Sequence, residues 1–248
     1  MLQIFQSEKW ISAWQETIGK DWELVGNNLA RRGNELIIAG GYEVADYLDI
    51  PDPTTWDEIK KKYKGMHLTL RNVPENSPTV TYFHMEKEDT TPITNLPPTL
   101  EKKNQHEMER KIRKFEREHP VFAFSEGNDI ETLLRLMKND PRKKEFLTSE
   151  MENFFRKITS LGKITILTVT DKPAAAMLTF QTGDTLMGYN SGFDETNFSG
   201  SGFYLKAKML ERAEGQGYKK FNFLQGNERY KYELGGKDFF VYRVDVTL

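Results

Sequence analysis

The chain has no cysteine among its 248 residues, which removes thiol nucleophiles, disulfide frameworks and thiolate-ligated zinc or iron–sulfur sites at once. Any covalent chemistry must run through oxygen or nitrogen. Long apolar runs are missing too. No segment approaches the ~18 apolar residues that cross a bilayer, and Met1-Leu-Gln-Ile-Phe-Gln-Ser-Glu-Lys-Trp10 lacks the basic start and apolar stretch of a secretory signal. The expectation is a cytoplasmic protein with no membrane insertion. Nor is there an excess of one charge: 35 basic and 37 acidic side chains give a formal net charge of −2, so no global field draws in a polyanion and nucleic acid is not the default partner. Histidine is scarce. His67, His84, His106 and His119 never fall at metal-ligand spacing, and His106-Glu-Met-Glu-Arg110 has arginine where a zincin helix needs its second histidine. No metal is expected.

What is present is an ordinary folded composition, 38% apolar and 29% charged, long enough for one large or two small domains. Residues 86–98 are polar, with Pro92, Pro97 and Pro98 and little periodicity, and read as a linker between regions 1–98 and 99–248. In the first region Trp10, Ile11, Trp14 and Ile18 mark a helix over 8–18. Strands are predicted at 22–25, 35–39 and 66–70, and a helix at 54–63 is capped by Thr54 or Thr55. This is a mixed α/β piece without an evident repeat or reactive cluster.

After the linker, 100–118 reads as an amphipathic helix through Met108, Ile112 and Phe115, with seven basic against five acidic residues. A strand at 121–124 follows. Asn128 and Glu131 form a capping box for a helix carrying Ile130, Leu133, Leu134 and Met137, and a second helix runs to about 161, where Gly162 stops it. Strands at 163–169, 174–181 and 185–191 are joined by turns too short for anything but antiparallel neighbours. A helix over 202–215, a strand at 219–224, a short helical piece and a last strand at 239–246 complete the order. The fold class is α/β (α+β), with a mixed, mostly antiparallel central sheet.

Two constellations can carry chemistry. Asn197-Phe-Ser-Gly200-Ser201-Gly202 lies between a strand and a helix, where free backbone N–H groups, the helix dipole and small residues suit a pyrophosphate. An ordinary glycine-rich helix start has the same composition. It is no Rossmann fingerprint, because Leu205 stands where the third glycine belongs, and it has no Lys-Ser/Thr pair of a P-loop. The other is Gly226-Asn-Glu228-Arg229-Tyr230-Lys231, directly after a strand, where open α/β sheets place ligands. Lys231 suits a developing oxyanion, Tyr230 a proton donor or relay and Glu228 a base. A surface turn with an Arg/Glu pair is the alternative. A Gly-x-Ser-x-Gly elbow is absent, since Asn197 precedes Phe198-Ser199.

Met187-Gly-Tyr-Asn-Ser191-Gly-Phe-Asp194, the Gly200-Ser-Gly202 helix start and Phe221-Asn-Phe-Leu-Gln-Gly226-Asn-Glu-Arg-Tyr-Lys231, in that order, resemble one family. They are similar to GNAT-fold acetyltransferases of the cellulose-biosynthesis-associated (CelD/BcsL-like) type, related to the FemAB-type peptidoglycan aminoacyltransferases. Asn104-Gln-His106-Glu-Met-Glu-Arg-Lys-Ile-Arg113 resembles that family's basic helix, and the likeness spans about residues 97–247. Gly200, Asn222 and Gln105 depart from its usual proline, aspartate and arginine, and Asn197 replaces the long first side chain of the general pyrophosphate loop. Ser7-Glu-Lys-Trp10-Ile11 and Val44-Ala-Asp46-Tyr-Leu-Asp49 resemble a shortened first half.

The resemblance implies a GNAT acyl-CoA N-acyltransferase fold, preceded by a degenerate GNAT-like region, and direct acyl transfer from acetyl-CoA or another acyl-CoA to a small-molecule amine or amino-sugar acceptor, in envelope or polysaccharide synthesis. Without cysteine, attack within a ternary complex is expected. Glu228, Tyr230 and Lys231 are then the catalytic candidates. Asn190 and Ser191, on the strand expected to bulge, would polarise the thioester carbonyl, with Asn197, Gly200, Ser201 and Gly202 at the phosphates. The alternatives are a Fem-like transferase drawing on aminoacyl-tRNA, which the near-balanced charge of 100–118 disfavours, and a non-catalytic GNAT-fold binding partner. Nothing in the sequence sets the oligomeric state.

Overall fold

Trp10, Ala13, Trp14 and Thr17 recur at helical spacing and form the buried face of α1 (Glu8–Thr17), whose N-terminus is capped by Ser7 accepting from the Trp10 N–H. They belong to a computed structural model that describes residues 4–248, so Met1 to Gln3 of the N-terminal segment lie outside it. The chain divides into two compact units, the first ending at Thr91 and taking in Asp238–Leu248 as well, the second Pro92–Lys237.

In the first unit α1 leads into β1 (Glu23–Gly26), β2 (Leu29–Arg32), β3 (Glu35–Ile38), α2 (Pro53–Lys62), β4 (His67–Pro74), α3 (Pro78–Tyr82) and β5 (Glu86–Thr90). The cap of α2 is Asp52, not Thr54 or Thr55: its carboxylate accepts from the Thr54 N–H at 3.0 Å while Pro53, which has no N–H to satisfy, takes the first helical position. β2 had no sequence expectation, although Gly26, Asn27 and Asn28, all at positive φ, turn the chain into it; its four residues, ending in Arg31-Arg32, show no apolar alternation.

The second unit runs through β6 (Ile93–Asn95), α4 (Lys102–Glu118), β7 (Phe122–Gly127), α5 (Ile130–Met137), α6 (Pro141–Phe146), α7 (Ser149–Ile158), β8 (Lys163–Val169), β9 (Lys172–Thr182), β10 (Thr185–Phe193), α8 (Ser201–Gly215), β11 (Lys220–Asn222) and α9 (Arg229–Glu233). β12 (Phe240–Thr247) then returns to the first unit, between β4 and β5. The expected linker is thus two strands. β5 and β6 each lie at the edge of a sheet, and an edge strand such as Glu86-Lys-Glu-Asp-Thr90 needs no apolar alternation.

Both sheets are six-stranded, in the orders β1-β2-β3-β4-β12-β5 and β6-β11-β10-β9-β8-β7. Each has one parallel pair, β3 with β4 and β10 with β11, and is otherwise antiparallel. This is the mixed, mostly antiparallel α/β architecture expected. The same order recurs in both: helix, three-strand meander, helix, parallel strand, as α1-β1-β2-β3-α2-β4 and α7-β8-β9-β10-α8-β11. In the second unit α8 packs on the sheet through Leu205, Met209, Leu210 and Ala213, against Leu167, Ala175 and Met177 of the meander and Phe221 of β11.

Candidate active site

β10 and β11 pair over only three registers, Thr185 with Lys220, Leu186 with Phe221 and Met187 with Asn222. Beyond them the β9–β10 ladder slips between Gly188 and Asn190, leaving Tyr189 as an extra residue that bends β10. On the other side β11 stops, and Leu224 turns through a left-handed conformation at φ 58°, its N–H held by Asn222 Oδ1 at 2.8 Å. Two parallel strands that begin paired therefore part. The opening is a cavity of about 160 Å³ lined by residues 188–191 on one side, Phe221, Phe223 and Gln225 on the other, and Glu228, Tyr230 and Lys231.

Lys231 is 1% exposed. Its Nζ donates to the carbonyls of Leu224 at 2.9 Å, Gly226 at 3.0 Å and Gln225, and pairs with Glu228 Oε2 at 2.9 Å. The ammonium thereby fixes the turn between β11 and α9. Burial tends to raise the Glu228 carboxyl, but the Lys231 charge and hydrogen bond, with help from Lys143, hold it below the ordinary carboxylate value, so Glu228 is an anion at neutral pH. Tyr230 goes the other way: burial first, then the Glu228 charge, push its phenol well above the usual range and keep it protonated.

Two further lysines converge here. Lys206, on α8, is 6% exposed and donates to the Gly202 carbonyl at 3.3 Å. Its ammonium lies over the rings of Tyr230 at 4.7 Å and Phe193 at 4.9 Å. Burial and the neighbouring Lys143 charge bring it down to about 7. Lys143, from α6, donates to the Ser191 carbonyl, and burial lowers it as well. Sequence reasoning missed both. A signal existed for Lys206: it shares the buried stripe of α8 with Gly202, Met209, Leu210 and Ala213, where a lysine has no structural reason to be.

The structure brings Glu228, Tyr230, Lys231, Asn190 and Ser191 to this cavity. Gly202 lines an adjoining one of about 280 Å³, with Lys143, Lys206, Glu228 and Tyr230 shared between the two. Gly202 is also a packing glycine, since a Cβ there would stand 2.7 Å from the Phe193 ring. Gly200 caps α8 at φ 84° and lines a third cavity with Ser199 and the α4 cations Arg110, Lys111 and Lys114. Its N–H donates to Glu195 Oε2 at 2.9 Å. Asn197 and Ser201 are engaged elsewhere. Asn197 donates to Asp194 Oδ2 at 2.7 Å, and the buried Ser201 hydroxyl donates to the Ala174 carbonyl at 3.1 Å. No cluster of metal-ligating side chains exists among the described residues, and no helix there is long and apolar enough to cross a membrane.

A family model described as acetyltransferase (GNAT) domain matches residues 102–232, just over half of the chain. No curated protein matches it in sequence. Solved structures share its fold: a conserved protein of unknown function from Bacteroides thetaiotaomicron has TM-score 0.65 at 14% identity, covering 98% of this chain and 90% of that one. L-PGS from Bacillus licheniformis has TM-score 0.65 at 13% identity, covering 96% and 90%. FemX has TM-score 0.61 at 10% identity, covering 97% and 94%.

Proposed function

The chain belongs to the family of GNAT acetyltransferase domains, and on that premise we propose that it is an N-acyltransferase moving an acyl group, acetyl in the first instance, from acyl-CoA to an amine by direct attack. The observation that carries this reading is the parting of β10 from β11 at the Gly188–Asn190 slip, which opens a cleft for a thioester beside unpaired strand edge. The amine nitrogen attacks the thioester carbonyl carbon, and its proton passes to Glu228 directly or through water. Backbone N–H groups at Asn190–Ser191 stabilise the oxyanion, while Lys231, its donors taken up by three carbonyls and Glu228, holds the turn that carries Glu228 and Tyr230. As the C–S bond breaks, Tyr230, kept protonated by its surroundings, gives its proton to the thiolate.

In this reading the CoA pyrophosphate lies at the α8 N-terminus, near Ser199, Gly200 and the α4 cations. Asn197, Ser201 and Gly202 shape that loop, without a side chain of theirs reaching the phosphates. Titration calorimetry with acetyl-CoA tests it. Micromolar binding, lost in Ser199→Asp, is expected; no binding of any acyl-CoA overturns it. Ser199 is chosen because it is exposed, whereas a side chain at Gly202 would strike Phe193.

One observation favours a second donor. The Glu195 carboxylate holds the Gly200 N–H, an anion where a pyrophosphate would sit, which suits a Fem-like transferase fed by aminoacyl-tRNA. Glu195→Gln separates the two: tighter acetyl-CoA binding supports the first, and indifference in a protein that transfers from aminoacyl-tRNA supports the second.

The CelD/BcsL-like branch, a role in polysaccharide synthesis and a cytoplasmic location belong to the same proposal, resting on the motifs at 187–194 and 221–231. So does the origin of residues 1–98 as a shortened first GNAT half, supported by the recurring order of helix, meander, helix and parallel strand.

A further inference from the structure

Lys143 and Lys206 are cations of the site that no carboxylate accompanies at ion-pair distance among the described residues. Lys206 Nζ reaches the Gly202 carbonyl at 3.3 Å, a long hydrogen bond that uses one of an ammonium's three donors. Lys143 reaches the Ser191 carbonyl. The other charges facing Lys206 are Lys231 and Glu228 at α9 and Glu195 before α8. Lys143 also faces Asp140 and Arg142, which line the same cavity, and all three carboxylates are already committed, Glu228 to Lys231 at 2.9 Å, Glu195 to the Gly200 N–H at 2.9 Å and Asp140 to Arg142 at 3.0 Å. Lys206, buried beside a second amine without a counter-ion, loses hydration and is repelled by Lys143, and its lowering to about 7 expresses that cost. They share the cavity of about 280 Å³ that runs past Phe193 and Phe203 to Ser191 and Tyr230, where the thioester cleft begins.

We propose that this cavity takes the acid group of the acceptor, a carboxylate or phosphate oxyanion bridging Lys143 and Lys206, so that the acceptor is an amine bearing an acidic substituent. The proposal rests on the acyltransferase reading and names the substrate class for it. The oxyanion supplies the missing counter-charge for both lysines. The acceptor's own ammonium is drawn toward Glu228, the carboxylate that lines both cavities. Bound in this way, a zwitterion presents its nitrogen toward the cleft and its acid group away from it. The same oxyanion chemistry exists in the phosphates of the donor, and the experiment separates the two sources.

Inorganic phosphate and acetate are titrated into the full-length protein and its Lys143→Met and Lys206→Met variants, by calorimetry and by the Cε resonances of carbon-13-labelled lysine, with and without saturating CoA. The expected result is a single anion site weakened about tenfold or more in each variant. Anion binding should move the titration midpoint of Lys206 upward from about 7, and should persist when CoA is bound. Methionine replaces a buried amine by an apolar chain of similar length at position 206, and Lys143 is only half-buried, so folded variants are expected and circular dichroism checks them. Variants that bind both anions as the parent does, or a Lys206 resonance indifferent to them, overturn the site. Displacement of the anion by CoA assigns it to the donor and overturns the acceptor assignment. Anion binding in a protein that takes up no acyl-CoA leaves this site standing while the acyl-CoA reading fails.

Discussion

Lys231 shows what a single buried charge does here. Its ammonium gathers three carbonyls and one carboxylate at the turn where β11 ends, so removing it leaves acceptors turned inward with nothing to meet. Lys231→Met is expected to cost roughly 3 kcal/mol in urea unfolding, because breaking a buried ionic network is penalised by the groups left behind. The Glu228 part of that stability is complete above the ordinary carboxylate value of 4.5 and fades as pH falls through the lower folded value. Lys206 behaves in the opposite sense. Its folded value, about 7, lies below the ordinary 10.5, so between those limits the unfolded chain binds the proton that the folded chain has lost, and stability rises with pH. Lys206→Met should therefore stabilise most below pH 7, by a few kcal/mol, with the gain shrinking steadily toward pH 10.5; urea midpoints at pH 6 and pH 9 measure the difference. Glu228, Tyr230 and Lys231 could be read together because they follow one strand within four residues. Lys143 and Lys206 come from different helices, and only the fold brings them to the same two cavities.

At the scale of elements, the cleft depends on how closely β10 is pressed against its neighbours. A Cβ on Gly192 would stand 2.3 Å from the Met137 N and 2.5 Å from the Leu136 carbonyl carbon, and backbone atoms cannot move aside as a side-chain tip can. Gly192→Ala is expected to cost about 2 to 3 kcal/mol by forcing α5 away from the sheet. It should also weaken anion binding at Lys143, since the neighbouring Ser191 carbonyl holds that lysine; a variant as stable as the parent would mean that α5 is not seated where it is described. Strands 163–169, 174–181 and 185–191 were legible to within two residues because near-continuous buried runs bounded by tight turns leave a clear trace. The turn before β9 places Thr170 and Asp171 both at positive φ, as a two-residue hairpin requires. Helix starts were harder. The cap of α5 is Asp129, accepting from the Thr132 N–H at 3.0 Å, one residue past the Asn128 of the expected capping box. The helix expected to run to about 161 is broken at Leu147–Thr148, where Thr148 caps α7 by accepting from the Met151 N–H. Asp140-Pro141 marked the start of α6, and with it the position of Lys143.

The whole molecule is joined in a way that no contiguous reading shows. A last strand rich in valine reads as the end of the sheet it follows, yet β12 pairs with β4 from His67 to Pro74 and with β5 from Glu86 to Thr90, in the interior of the first sheet. Pairing partners 150 or more residues apart leave no local signal, whereas the recurring order of helix, meander, helix and parallel strand becomes visible only once both sheets are laid out. The tryptophans give this arrangement a direct test. All four, Trp10, Trp14, Trp22 and Trp56, belong to the first unit, and three of them are fully buried. Tryptophan emission therefore reports that unit alone. A chain ended at Lys237 loses the strand between β4 and β5, together with the buried Val241, and leaves two ladders without partners. Its emission is expected to be red-shifted without denaturant, while far-UV circular dichroism retains the signal of the helices and strands between Pro92 and Lys237. Adding the peptide Asp238–Leu248 in excess should restore part of the blue-shifted emission, because it resupplies both ladders. Native-like emission from the truncated chain alone would show that the first sheet closes without β12.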